Sequence, residues 1–150
     1  MALIAPDRPT PKDMATRLID WANLHPPIDV EAAARRLGID VEYLKLSGSV
    51  KGVLIREEHK RWLIVVNSRC TNRCLHRFTI AHEIGHWALH RPLLKRSSLE
   101  LGEEWEREAD EFASELLMPA RYVGWAMTQN PEMIFNVSAS AWQRRLRQST

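Results

Sequence analysis

The chain has 150 residues, 45% of them hydrophobic, which is enough for one buried core and too little for a second independent domain. A formal charge of +2 gives no argument for nucleic acid or a membrane surface as partner, although Arg144, Arg145 and Arg147 make the C-terminus locally basic. No apolar run approaches the ~18 residues of a membrane span, and Met1 to Ala5 lacks the charged start and apolar stretch of a signal peptide, so a cytoplasmic location is expected.

Met1 to Pro9 is Pro-rich and without periodicity. A disordered tail is therefore expected over residues 1–12, followed by a folded domain at 13–128 and a C-terminal helical extension at 129–150. Thr10-Pro11-Lys12-Asp13 reads as a helix start, with Pro11 in the first turn and Met14, Leu18, Trp21 and Ala22 on one face. Pro26-Pro27 ends that helix, Asp29 can cap a second, and Gly38 closes it. Three strands are predicted next: Ile39 to Leu46, Val50 to Arg56, and Trp62 to Asn67. The last is a nearly continuous apolar run, and the charged Glu57 to Arg61 suits the turn before it. Cys70 and Cys74, with His76 close behind, lack a fourth ligand for a structural zinc site. The two thiols are expected to be reduced and structurally incidental.

The next segment carries chemistry. His82-Glu83-Ile84-Gly85-His86 places two imidazoles at i and i+4, about 40° apart and about 6 Å along a helix axis, so both can grip one Zn²⁺ while Glu83 reaches the water it activates. Projected at about 100° per residue, Thr79, His82, Glu83, His86 and His90 share one stripe, with Ile80, Ala81, Ile84, Trp87 and Ala88 opposite. A catalytic zinc usually has three protein ligands and one open position. His90 sits about 12 Å up the axis from His82 and cannot supply the third without breaking the helix.

Eight acidic residues crowd into Glu100 to Glu115, opposed only by Arg107, and periodicity sorts them. Trp105, Ala109, Phe112, Ala113, Leu116 and Leu117 form a buried stripe, Glu106 and Asp110 border it, and Glu104, Glu111 and Glu115 point away. Glu106 and Asp110 are again i and i+4, so one can bind metal while the other accepts the free ring N–H of a ligating His. Glu108 is the next choice. Ser138 then caps a basic helix, Ala139 to Gln148, expected to close the core through Trp142 and Leu146. One short helix gives little basis for reading DNA, so direct DNA binding is not expected. Helices, a small antiparallel or mixed sheet, then two further helices make the fold class α+β.

Arg77 to His86, the following Leu89-His90, and Glu106 to Pro119 resemble the ImmA/IrrE family of bacterial metallopeptidases, as does Ile28 to Ile39. That resemblance implies a zincin-like domain in which His82, His86 and Glu106 bind zinc and Glu83 is the catalytic base; Asp110, expected behind the ligands, departs mildly from the family, which commonly has Asn there. Mn²⁺ or Fe²⁺ suits the same ligands. It also implies a helix-turn-helix repressor as substrate and partner, cut to release its genes. The competing reading is a non-proteolytic binding module or toxin–antitoxin component. Against it stands Glu83, which a pure binder does not need. Amide hydrolysis also calls for an oxyanion donor, and Tyr122, Thr79, His90 and Arg77 are the candidates.

Overall fold

The computed structural model describes residues 8–58 and 61–148. Residues 1–7 of the expected tail and residues 59 and 60 of the expected turn lie outside the described residues. Helix α1 (Pro11–Ala22) starts at a reciprocal cap, in which the Thr10 hydroxyl accepts the Asp13 N–H and the Asp13 carboxylate accepts the Thr10 N–H. It buries Ala15, Leu18, Ile19 and Ala22. Trp21, expected on the inner face, is 57% exposed and lies under the Arg36 guanidinium, 5.0 Å from the ring centroid. It falls roughly a quarter-turn beyond the buried stripe, and the cation shields the ring that packing leaves in water.

Helix α2 (Val30–Arg36) is capped by Asp29, whose side chain accepts the Ala32 N–H at 2.9 Å, and Gly38 leaves it at a φ of +79°. Strands β1 (Ile39–Leu44), β2 (Gly52–Arg56) and β3 (Trp62–Asn67) form a mixed sheet in the order β1-β3-β2, with β1 parallel and β2 antiparallel to β3. The central position explains why β3 is apolar along both faces. Strands β1 and β2 are two residues shorter at the loop than expected, because the buried Asn67 side chain replaces the ladder there. It accepts the Leu46 N–H at 3.1 Å and donates to the Val50 carbonyl at 2.7 Å, stapling the loop between them.

Strand β2 has an outer edge, and a short strap covers part of it. The Leu54 N–H reaches the Ser98 hydroxyl at 2.9 Å and the Arg56 N–H reaches the Arg96 carbonyl at 2.9 Å. Gly52, two residues before Leu54, turns its backbone groups the same way, since alternate residues of an edge strand face outward.

Helix α3 (Arg73–His90) begins at Asn72, whose side chain accepts the Leu75 N–H, and buries Ile80, Ala81 and Ile84. Helix α4 (Glu103–Leu117) packs against both α3 and α1 and buries Ala109, Phe112, Ala113, Leu116 and Leu117. Trp105, expected in that stripe, is half-buried, lying edge-on to His90 and under Arg8. Glu115 does not point away as expected but is buried against Arg145.

Three short helices close the chain: α5 (Ala120–Ala126), α6 (Pro131–Phe135) and α7 (Ala139–Gln148). In α7 the Ser138 hydroxyl caps Ala141, Trp142 is buried and Leu146 half-buried. Among the described residues no helix is long and apolar enough to cross a membrane. The architecture is α+β, seven helices around a small mixed sheet among the described residues.

Candidate metal centre

The helical stripe of α3 turns His82, Glu83 and His86 toward the N-terminal half of α4. His82 Nε2 lies 2.7 Å from Glu106 Oε2, and His86 Nε2 lies 3.1 Å from Glu106 Oε1. Ligand atoms of His82, His86 and Glu106 fall within 4.8 Å of one another, the span that one ion bridges. Glu106 sits in the first turn of α4, where the helix N-terminus favours a negative charge.

Gly85 makes this approach possible. A Cβ there would stand 3.0 Å from Phe112 Cδ1 and 3.2 Å from the Ala109 carbonyl, so the absence of a side chain lets α4 lie close against α3. A Cβ there would need Phe112 and the Ala109 backbone to give way by a few tenths of an ångström.

The outward ring nitrogens are held as well. His82 Nδ1 donates to Asp110 Oδ1 at 2.8 Å. Behind His86 runs a chain: His86 Nδ1 to His90 Nδ1 at 2.8 Å, then His90 Nε2 to Glu108 Oε1 at 2.8 Å. Burial lowers the pKa of His90, favouring the neutral ring. Neutral His90 gives its one proton to Glu108 and accepts from His86 Nδ1, which leaves His86 Nε2 to face Glu106. An imidazole nitrogen and a carboxylate oxygen 3.1 Å apart, the nitrogen on a fully buried ring, share a proton or, with that proton gone, can share a cation. The donor set therefore fits a metal ion. His90 stands outside that group and bonds the far ring nitrogen of His86.

Electrostatics agree with the geometry. Burial works against a charge on His82, yet hydrogen bonds to Asp110 and Glu106 outweigh it and raise the imidazole pKa to about 10. Burial likewise opposes charge on Glu106, but His82 and His86 pull its pKa down to about 2. Glu83, only 5% exposed, is pushed up by burial, and its Oε1 accepts the Ser98 hydroxyl at 2.6 Å.

A cleft of about 660 Å³ opens over His82, Glu83, Glu106 and Asp110 and runs between Gly52 of β2 and Arg144 of α7. Of the expected oxyanion donors only Thr79 lines it. The Arg77 guanidinium is spent on the carbonyls of Ile28, Phe135 and Asn136. The Tyr122 hydroxyl bonds His25 Nδ1 outside the cleft, and His90 lies behind His86. Cys70 and Cys74 are free thiols, and Cys74 lines the cleft wall. Residue periodicity missed Ser98 and the spacing role of Gly85; a glycine inside a helical stripe was the available signal for the latter.

The histidine helix beside a sheet edge, with its third donor on the helix packed against it, is the arrangement of zincin-like metallopeptidases. Residues 34–147 match the family model described as IrrE N-terminal-like domain, peptidase M78, and the chain belongs to that family. A comparison with curated proteins gives no match.

Proposed function

We propose that this protein is a Zn²⁺-dependent endopeptidase that cleaves a helix-turn-helix transcriptional repressor and so releases the genes it silences. The observation that carries the chemistry is the convergence of His82, His86 and Glu106 beside the buried Glu83 at the floor of an open cleft. Two imidazoles and one carboxylate favour Zn²⁺, with Mn²⁺ and Fe²⁺ as the alternatives that share these ligands. Bound there, the ion supplies Lewis-acid polarisation of the scissile carbonyl and a nucleophilic water at neutral pH.

The protein's residues do the rest. Glu83 takes the proton from the attacking water and returns it to the leaving amine, a task that its raised proton affinity suits. Asp110 fixes the His82 ring, and His90 with Glu108 fixes that of His86. An extended segment of substrate pairs with the outward backbone groups of Gly52, where the edge of β2 borders the cleft. The repressor as substrate rests on the family resemblance of the two motifs.

Co-expression with a helix-turn-helix repressor whose operator drives a reporter tests the proposal. Wild type is expected to cleave that protein and Glu83→Gln to lose about 10²- to 10⁴-fold in rate while keeping its metal and its fold. Full relief of repression by Glu83→Gln would end the proteolytic reading.

A further inference from the structure

We infer that Ser98 is a positioning residue for Glu83, locking one carboxylate oxygen so that the other faces the cleft; the inference rests on the peptidase reading. Ser98 is 3% exposed and belongs to the strap over the β2 edge, eight residues beyond the end of α3. Its Oγ accepts the Leu54 N–H at 2.9 Å and donates to Glu83 Oε1 at 2.6 Å. These two contacts settle the hydroxyl completely. A backbone N–H can only donate, so Leu54 takes a lone pair of Oγ, and the single serine proton is left for Glu83.

The consequence falls on the carboxylate. A glutamate has three rotatable side-chain bonds, and a base that swings loses the alignment that proton transfer requires. Helix α3 alone fixes only the Cα of Glu83. Ser98 fixes Oε1 from the opposite side, and because its own position is set by Leu54, the base is registered against the edge strand as well as against the histidines. The strap that covers β2 thereby ties the proton acceptor to the strand beside it. Since Leu54 already gives its N–H to Ser98, an incoming extended chain can use Gly52 but not Leu54, which limits pairing to the end of β2 nearest the cleft.

Two measurements test this. First, melting of the metal-free protein is compared for wild type, Ser98→Ala, Glu83→Ala and the double variant. Loss of a buried hydrogen bond makes Ser98→Ala lower Tm by about 4 °C or more in the wild-type background and by less than half as much beside Glu83→Ala. An equal loss in both backgrounds overturns the coupling. Second, cleavage of the helix-turn-helix repressor used in the co-expression test, now purified, is followed with the zinc-loaded variants. Ser98→Ala is expected to lower kcat about 10- to 100-fold with KM within twofold and zinc content unchanged. A kcat within twofold of wild type, or a loss confined to KM or to zinc content, overturns the positioning role. Ser98→Cys, which keeps the volume and weakens the donor, replaces alanine if that variant fails to fold. A wild type that cleaves nothing defeats the peptidase reading instead, and the melting comparison still decides whether Ser98 and Glu83 are coupled.

Discussion

Helix α4 brings several carboxylates against nitrogen partners, and its two ends treat Glu115 and Glu106 oppositely. Near its C-terminus Glu115 is 5% exposed, with Oε1 on Arg145 Nη2 at 2.9 Å and Oε2 on the Ala120 N–H at 2.8 Å, while Arg145 Nε also reaches the Met118 carbonyl. Near its N-terminus Glu106 keeps 44% of its side chain exposed and faces two imidazoles. A guanidinium does not give up its proton, so the Glu115 end is complete as it stands. An imidazole does, so the protons that His82 and His86 share with Glu106 can be exchanged for a metal ion. One end of the helix is a permanent joint and the other an exchangeable one.

Breaking the permanent joint should cost stability and nothing else. Arg145→Met leaves Glu115 buried without its partner and is expected to remove about 3–5 kcal/mol from unfolding, with zinc affinity unchanged. Chemical denaturation beside a zinc titration checks both halves. A variant that melts normally would mean that the two ends differ less than their burial implies.

Opening the exchangeable end should do the reverse. Asp110→Asn weakens the hold on His82 and is expected to lower metal affinity about 10- to 100-fold with little change in melting of the metal-free protein. Competition with a chromophoric chelator reads the first quantity and calorimetry the second.

Acidity separates the ends next. A metal must displace the proton that Asp110 and Glu106 stabilise on His82, so affinity should rise about tenfold per pH unit across pH 7–9, short of the raised pKa of about 10. In the metal-free protein the sign reverses. Stabilisation from protonated His82 is fully present below the reference value of 6.5 and is lost as pH rises through about 10. That from ionised Glu106 is present above 4.5 and is lost as pH falls through about 2. A flat affinity between pH 7 and 9 would contradict the assignment.

The smallest expected effect is on the seam itself. Gly85→Ala forces a Cβ against Phe112 and should cost about 1–3 kcal/mol, with a fall in zinc affinity as Glu106 is carried outward. Thermal melting and the same chelator competition report it, and an unaltered affinity would show that Glu106 follows the histidines however α4 shifts.

The motif was legible because the relevant helix is long and its polar stripe is set by local periodicity: His82, Glu83, His86 and His90 needed no knowledge of neighbours to be grouped. Glu106 and Asp110 followed from their place at the border of an apolar stripe. Glu115 and Trp21 were misplaced for the opposite reason. Whether a residue at a stripe's margin faces water depends on what packs there, and α7 with Arg145 arrives from thirty residues away. Ser98 was invisible to pattern altogether, since a serine in a short irregular segment acquires its role only when that segment crosses a strand edge. The strand ends were overextended because a side chain, that of Asn67, took over from backbone pairing.

The close seam at Gly85 and Phe112 has a consequence for how this sequence can drift. The two residues share one allotment of volume, so neither is free to vary alone. Growth at 85 meets the Ala109 carbonyl as well as Phe112, and because Phe112 is fully buried, shrinkage there would hollow the core it helps to fill. The glycine inside the histidine motif is thus held in place by a phenylalanine on another helix, and covariation between these positions should be nearly absent among chains that keep the same helix spacing.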